Sequence, residues 1–257
     1  MPSQEISVSD VKQGLRTRFI GRNILYFPRL PSTMDAARRE VHNRAPEGTV
    51  IIAGEQTQGR GRLKRAWLAP EGNIALSLVL YPAVARLPYL IMISSLAAAQ
   101  SVESVTGLAA QIKWPNDILI DDKKVAGILV ENEVKGKNAS AVIGVGINVA
   151  LRTAKIDEIS SIATSLEEQL GKTVSRKELI QKFLEEFEIL YIMQDFKPVF
   201  KRWKGRLVTL GQKVAALWCN DVIEGVAESV DETGALLIRR ADGALTRVVA
   251  GDVTLKK

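Results

Sequence analysis

Arg60, Arg62, Lys64 and Arg65 crowd into seven residues of this chain, and no acid lies between Gly59 and Arg65 to balance them. They belong to GEQTQGRGRLKRAW, residues 54–67, where Gly54, Gly59 and Gly61 leave the backbone loose. Like charges this close repel, so the loop is costly to order alone and easier to order around an anion. Guanidinium forks grip phosphate or carboxylate oxygens in pairs, and glycine lets backbone N–H groups approach closely. The chemistry would be a phosphate clamp that folds over its ligand. A solvated basic loop fits the same residues, and the stretch alone leaves both readings open. It is not a P-loop. Arg60 and Gly61 stand where GxxxxGK[ST] needs Lys and Ser or Thr, and Pro70 and Gly72 interrupt the helix that a P-loop must open. Trp67 closes the stretch, as the cover of a ligand ring or as a core anchor.

Two later stretches carry further chemistry. In KWPND (113–117), Pro115 pushes Trp114 toward an extended backbone and places Asn116 and Asp117 at a turn. Asparagine offers a donor and an acceptor to a base edge, and aspartate holds Mg²⁺ or accepts from an incoming amine. An Asx turn between strands is the plain alternative. Lys124 opens the next strand. In VIGVGINV (142–149), Ile143, Val145 and Ile147 alternate with Gly144, Gly146 and Asn148, so one face is core and the other flat. Glycines inside a strand weaken it unless something comes close. A planar ring lying on Gly144 and Gly146, read by Asn148 and with Gly127 extending the floor, is the preferred account; a bulge is the alternative.

Positioning these residues takes an α+β fold. ILYFPRL (24–30), GTVIIAGEQ (48–56) and IALSLVLY (74–81) read as strands, as do 118–120, 125–132 and 140–149. Ser32 and Asp35 form a capping-box pattern that opens a helix to about Asn43, and a helix over 87–106 stops at Gly107. A short helix is expected over 162–169, and an amphipathic one over 175–196, opened by Ser175 and Glu178 and ended or bent by Pro198. Beyond about Arg206 short alternating strands fit a small β-barrel. The expected domains are therefore 1–206 and 207–257. One histidine (His42) and one cysteine (Cys219) exclude His-based triads, HExxH zinc sites, intramolecular disulfides and cysteine metal clusters. The net charge of +6 suits an anionic partner. The start MPSQEISVSD is no signal peptide, and the longest apolar run, 87–99, is too short to span a bilayer. A cytoplasmic, reduced protein is expected.

STMDAA (32–37), EQTQGRGRLKRAW (55–67), KWPND (113–117), KVAGILVE (124–131) and GVGINV (144–149), in this order, resemble the biotin–protein ligases. The resemblance spans about 24–150, and the small C-terminal barrel fits it too. It implies a class II synthetase-like mixed sheet flanked by helices, with a Src-homology-3-type barrel. It implies a reaction of biotin with ATP and Mg²⁺ to biotinyl-5′-AMP, then transfer to one lysine of a biotin carboxyl carrier protein. Carried over, Ser32, Thr33, Met34 and Gln56 bind biotin, with Gly127 near it. Arg60, Gly61 and Arg62 lie in the loop over biotin and its adenylate. Lys124 meets the biotin carboxylate and the α-phosphate. Asn116, Asn148 and Trp67 serve adenine on the Gly144 and Gly146 floor. Asp117 orients the acceptor lysine or assists the metal, and Lys124, Asp117 and Arg62 carry catalysis. Thirty-one residues precede Ser32, too few for the winged-helix domain of repressor members, so no DNA binding is expected. No membrane association is expected either, and a homodimer through the central sheet is compatible with the resemblance. A lipoate ligase would carry a histidine motif after the Arg loop, and a nucleic-acid binder would interleave more aromatics with its cations.

Overall fold

The computed structural model describes residues 6–153, 156–218, 221–249 and 251–255, so Cys219 lies outside the described residues. Seven strands form one mixed sheet: β1 (Ile24–Leu30), β2 (Val50–Gln56), β3 (Ile74–Leu80), β4 (Gln111–Lys113), β5 (Asp117–Ile120), β6 (Lys123–Lys135) and β7 (Asn138–Ile147). Their order is β1-β2-β3-β7-β6-β5-β4, with β1 and β2 parallel and every other neighbour antiparallel. The β5–β6 hairpin turns on Asp121 and Asp122, both in the left-handed region at φ 47° and 61°. A two-residue turn of that hand matches the twist of the strands it joins.

Helices cover both faces. α2 (Thr33–His42) lies on one face, where Met34 and Ala37 meet Ile51, Val79 and Val142. On the other lie α3 (Leu90–Thr106) and α5 (Arg176–Tyr191), together with α6 (Lys197–Lys204) and the small α1 (Val8–Lys12). Strand alternation sorts the side chains: Ile143, Val145 and Ile147 join the α3 side, as their spacing predicts. α3 is buried almost all round, so its Ser94, Ser95 and Ser101 hydroxyls donate back to main-chain carbonyls one turn earlier. It ends, as expected, on Gly107 in the left-handed conformation (φ 76°).

Three expectations are corrected. Ser32 stands at the N-cap of α2, but its hydroxyl makes no capping bond. The Thr33 N–H is met instead by Gln56 Oε1 at 2.7 Å, across from β2, and Asp35 turns to Arg38 and Arg60 rather than back to Ser32. α5 ends at Tyr191, and Pro198 stands near the start of α6, where its missing N–H costs nothing. The short helix α4 runs Leu166–Leu170, later than expected, because Ser165 accepts the Glu168 N–H and Gly171 takes the left-handed cap. The Ser175 cap on Glu178 N is present at 3.2 Å.

The C-terminal strands β8 (Lys213–Trp218), β9 (Asp221–Val230), β10 (Leu236–Arg239), β11 (Leu245–Val248) and β12 (Asp252–Leu255) form an antiparallel sheet in the order β11-β10-β9-β8-β12. Val214, Ala216, Leu236, Ile238 and Val248 turn inward and join the main core. Before β8, Leu207 pairs with Ile112 of β4, and Arg206 grips Glu103 of α3 with both guanidinium nitrogens. Burial alone would push the Glu103 carboxyl up, but the Arg206 bonds and the Ala110 N–H outweigh it and hold it below its ordinary value. A lowered carboxyl contributes stability above its unfolded-state pKa and loses it as pH falls through the folded value. The melting temperature is therefore expected to drop between about pH 5 and about pH 3, and less steeply in Arg206→Gln. Equal slopes would contradict that role. Among the described residues, no helix is long and apolar enough to cross a membrane.

Candidate active site

The basic loop leaves β2 at Gln56 and folds back on itself. Gln56 N donates to Ala69 O, Trp67 N to Gly59 O and Gly61 N to Arg65 O, all within 2.9 Å. Groups from other elements meet Arg60 and Arg62. Arg60 pairs with Asp35 of α2, which also takes Arg38. Arg62 donates to Asn116 Oδ1 at 2.9 Å and to the Gly251 carbonyl, 189 residues away, at 2.8 Å. The Arg60–Asp35 pair is exposed at 41% and 36%, so it adds little to stability and opens easily.

The loop closes over a cavity of about 330 Å³ that every site residue named from the sequence lines. At one end stand Ser32, Thr33 and Met34 at the start of α2, with Gln56 beside them. Thr33 N and Thr33 Oγ1 both donate to Gln56 Oε1, at 2.7 and 2.9 Å. The Ser32 hydroxyl is buried and has no hydrogen-bond partner. Buried polar atoms are rarely left so, and Ser32 is one of the residues lining the cavity.

The other end is cationic. Lys124 Nζ sits 2.6 Å from Asp117 Oδ1 and 5.3 Å from the Trp67 ring centre. Among the described residues, Asp117 is the one carboxylate lining the cavity, and no group of three His, Cys, Asp or Glu could hold a metal. The Trp114–Pro115 peptide is cis, and Asn116 N closes the turn on Lys113 O. Asn116 Nδ2 donates to Ile128 O at 2.8 Å, and Asn148 Nδ2 to Thr164 O at 3.1 Å. Both amides thus brace main chain around the cavity as well as border it.

The flat floor holds the protein's own side chains. A Cβ built on Gly146 would lie 2.3 Å from the Trp67 indole, and one on Gly144 would lie 2.7 Å from Met34 Sδ. The ring expected on Gly146 is therefore Trp67, which also reaches Gly127, and Gly144 lies under a thioether. The sequence reading missed the apolar wall of Leu151, Ile159 and Ile162. That segment is fastened to β6 by Lys124 N on Ile162 O and Thr164 N on Lys124 O, each 2.9 Å. Its signal was available: Ile156, Ile159 and Ile162 recur every third residue in an otherwise polar stretch.

Residues 26–148 match the model of the biotin/lipoate A/B protein ligase family, and 209–256 match that of the biotin protein ligase C-terminal domain. The bifunctional ligase/repressor BirA of Bacillus subtilis is 35% identical over 259 residues, which is 98% of this chain and 79% of that protein. This chain belongs to the biotin protein ligase family. A biotin–[acetyl-CoA-carboxylase] ligase of Paracoccus denitrificans is 32% identical over 75% of this chain and 85% of its own length. The biotin protein ligase of Aquifex aeolicus, solved in complex with biotin and ATP, superimposes with a TM-score of 0.76 at 30% identity. It covers 92% of this chain and 99% of that one. The mixed sheet with flanking helices and the C-terminal five-stranded sheet are the architecture of this family.

The floor gives a test within the family frame. Gly146→Ala is expected to cost about 1–3 kcal/mol by overpacking the indole against a central strand. Displacing Trp67 should also raise the KM for ATP. Wild-type unfolding and wild-type kinetics together would contradict the indole's placement.

Proposed function

We propose that this chain is an ATP-dependent biotin–protein ligase acting through the cavity beneath the basic loop. It activates biotin to biotinyl-5′-AMP and transfers biotin to a lysine of a carrier protein such as that of acetyl-CoA carboxylase. The observation that carries the reading is the two-ended cavity. One end offers a partnerless buried hydroxyl, Ser32 Oγ, and the amide of Gln56; the other gathers Arg60, Arg62 and Lys124. A neutral, hydrogen-bonding head group with an anionic tail fits that polarity, and ATP supplies the second anion.

In the first step a biotin carboxylate oxygen attacks the α-phosphorus, the bond to the bridging oxygen of the β-phosphate breaks, and pyrophosphate leaves. Two anions must meet, and charge builds on the α-phosphoryl oxygens, so fixed cations matter more than proton transfer. Lys124 is placed to exchange its Asp117 partner for that phosphoryl group, and Arg62 to exchange Asn116 for phosphate oxygens. Mg²⁺ would arrive on the ATP phosphates and neutralise charge there, with Asp117 the acid at hand. In the second step a neutral lysine amine attacks the acyl carbon, AMP leaves, and Asp117, freed from Lys124, orients the amine. The folded loop and the wall at Ile159 and Ile162 keep water from the mixed anhydride. Dependence on ATP supports a cytoplasmic setting.

The test is biotin transfer itself. Purified protein, biotin, ATP and Mg²⁺ are incubated with a biotin carboxyl carrier domain, and the product is read by streptavidin blot. Labelling that disappears when the carrier's acceptor lysine is changed to arginine is expected. No labelling of the intact carrier would overturn the reading.

A further inference from the structure

Ser77 interrupts an otherwise apolar strand. β3 reads IALSLVL and is buried along its whole length, yet Ser77, fully buried, sits near its middle. It lies on the α2 face of the sheet, in register with Gly144 and two residues from Val79 on the same face. A hydroxyl there is unfavourable unless bonded. Its hydroxyl bonds toward the site: Ser77 Oγ donates to Thr33 Oγ1 at 2.8 Å, and Thr33 Oγ1 donates onward to Gln56 Oε1 at 2.9 Å.

The direction of this chain is fixed at its far end. Gln56 Oε1 also receives the Thr33 backbone N–H at 2.7 Å, and a backbone N–H can only donate. The amide oxygen must therefore face Thr33. The Gln56 NH₂ is then the group left for a ligand in the cavity that Gln56 lines. A Ser77 hydroxyl that donates to Thr33 occupies the Thr33 oxygen as acceptor and leaves its proton for Gln56. Ser77 itself does not line the cavity.

We propose that Ser77 is a positioning residue for the head-group end of the site: acting through Thr33, it holds the Gln56 amide with its NH₂ turned to the ligand. This rests on the biotin reading above. It deepens that reading by assigning the recognition of a hydrogen-bond-accepting head group to a relay of three residues rather than to Gln56 alone. Removing the Ser77 hydroxyl leaves Thr33 still bonded to Gln56, so folding stability is little changed while the orientation of the amide loosens.

The test is a double-mutant cycle read by calorimetric titration with biotin, using wild type, Ser77→Ala, Gln56→Ala and the double variant. In Ser77→Ala the Kd for biotin is expected to rise about three- to tenfold, with the KM for ATP unchanged. In the Gln56→Ala background the same change should add nothing, because the relay no longer has an end. Equal losses in both backgrounds, or no loss in either, would overturn the role of Ser77. Should Ser77→Ala fold poorly, Ser77→Cys keeps the buried volume with a weak donor and is expected to behave the same way. Wild-type protein that does not bind biotin would overturn the biotin reading, and this inference with it. Wild-type binding with an unchanged Ser77→Ala would overturn the inference alone.

Discussion

Lys124→Ala should lower the rate of biotinyl-AMP formation by about 10²–10³-fold, the cost of removing one preorganised charge from a developing oxyanion. The loss is expected mainly in the chemical step. The ammonium sits between Asp117, the Trp67 face and the cavity, where the proposed reaction brings an α-phosphoryl group. It is a terminal group on a partly exposed side chain, while the β6 backbone that carries it is held independently by Ile162 and Thr164. Thermal unfolding should therefore stay close to wild type. Single-turnover formation of biotinyl-AMP, followed beside a melting curve, separates the two effects. A folded Lys124→Ala protein with wild-type turnover would contradict the assignment.

Trp114→Ala should have the largest effect on stability, about 3–5 kcal/mol, in a protein whose total is expected near 5–15 kcal/mol. The indole is 2% exposed and joins two parts of the molecule. Its Nε1 donates to the Gly234 carbonyl of the C-terminal sheet at 2.8 Å, and its backbone N–H donates to Thr209 Oγ1 at 2.9 Å. Truncation removes a large buried surface and orphans a turn carbonyl. Trp114→Phe keeps most of the volume and should lose less. Chemical denaturation checks both, and midpoints equal to wild type would contradict the anchor. Asn116 and Asp117 follow directly in sequence, so partial loss of activity should accompany the loss of stability even below the melting point.

The site was legible in the chain because its residue types are expensive anywhere else. Four unbalanced cations in a glycine loop and two glycines alternating with isoleucine and valine each point to a ligand. Arg60, Arg62, Arg65, Lys124, Gly144 and Gly146 all line one cavity. The sheet faces were legible as well, because period-two alternation separates Ile143 and Val145 from Gly144 and Gly146 without reference to anything distant. What failed was long-range. Nothing near Gly146 says that the ring upon it belongs to Trp67, 79 residues earlier in the chain, or that Arg62 reaches Gly251. The capping box at Ser32 failed for the same reason. The local pattern was correct, but Gln56 of a neighbouring strand took the helix N–H and left the buried serine hydroxyl without a partner. Ser77 carries no local signal at all beyond a polar residue in an apolar strand.

The measurement that tests the central claim most directly is mass spectrometry of the small molecules released after the purified protein is mixed with biotin, ATP and Mg²⁺ and no acceptor. Biotinyl-5′-AMP and pyrophosphate in equal amounts, absent when biotin is omitted and strongly reduced in Lys124→Ala, are the expected products. Biotin and ATP recovered unchanged from folded protein would contradict the assignment of this cavity to biotin activation.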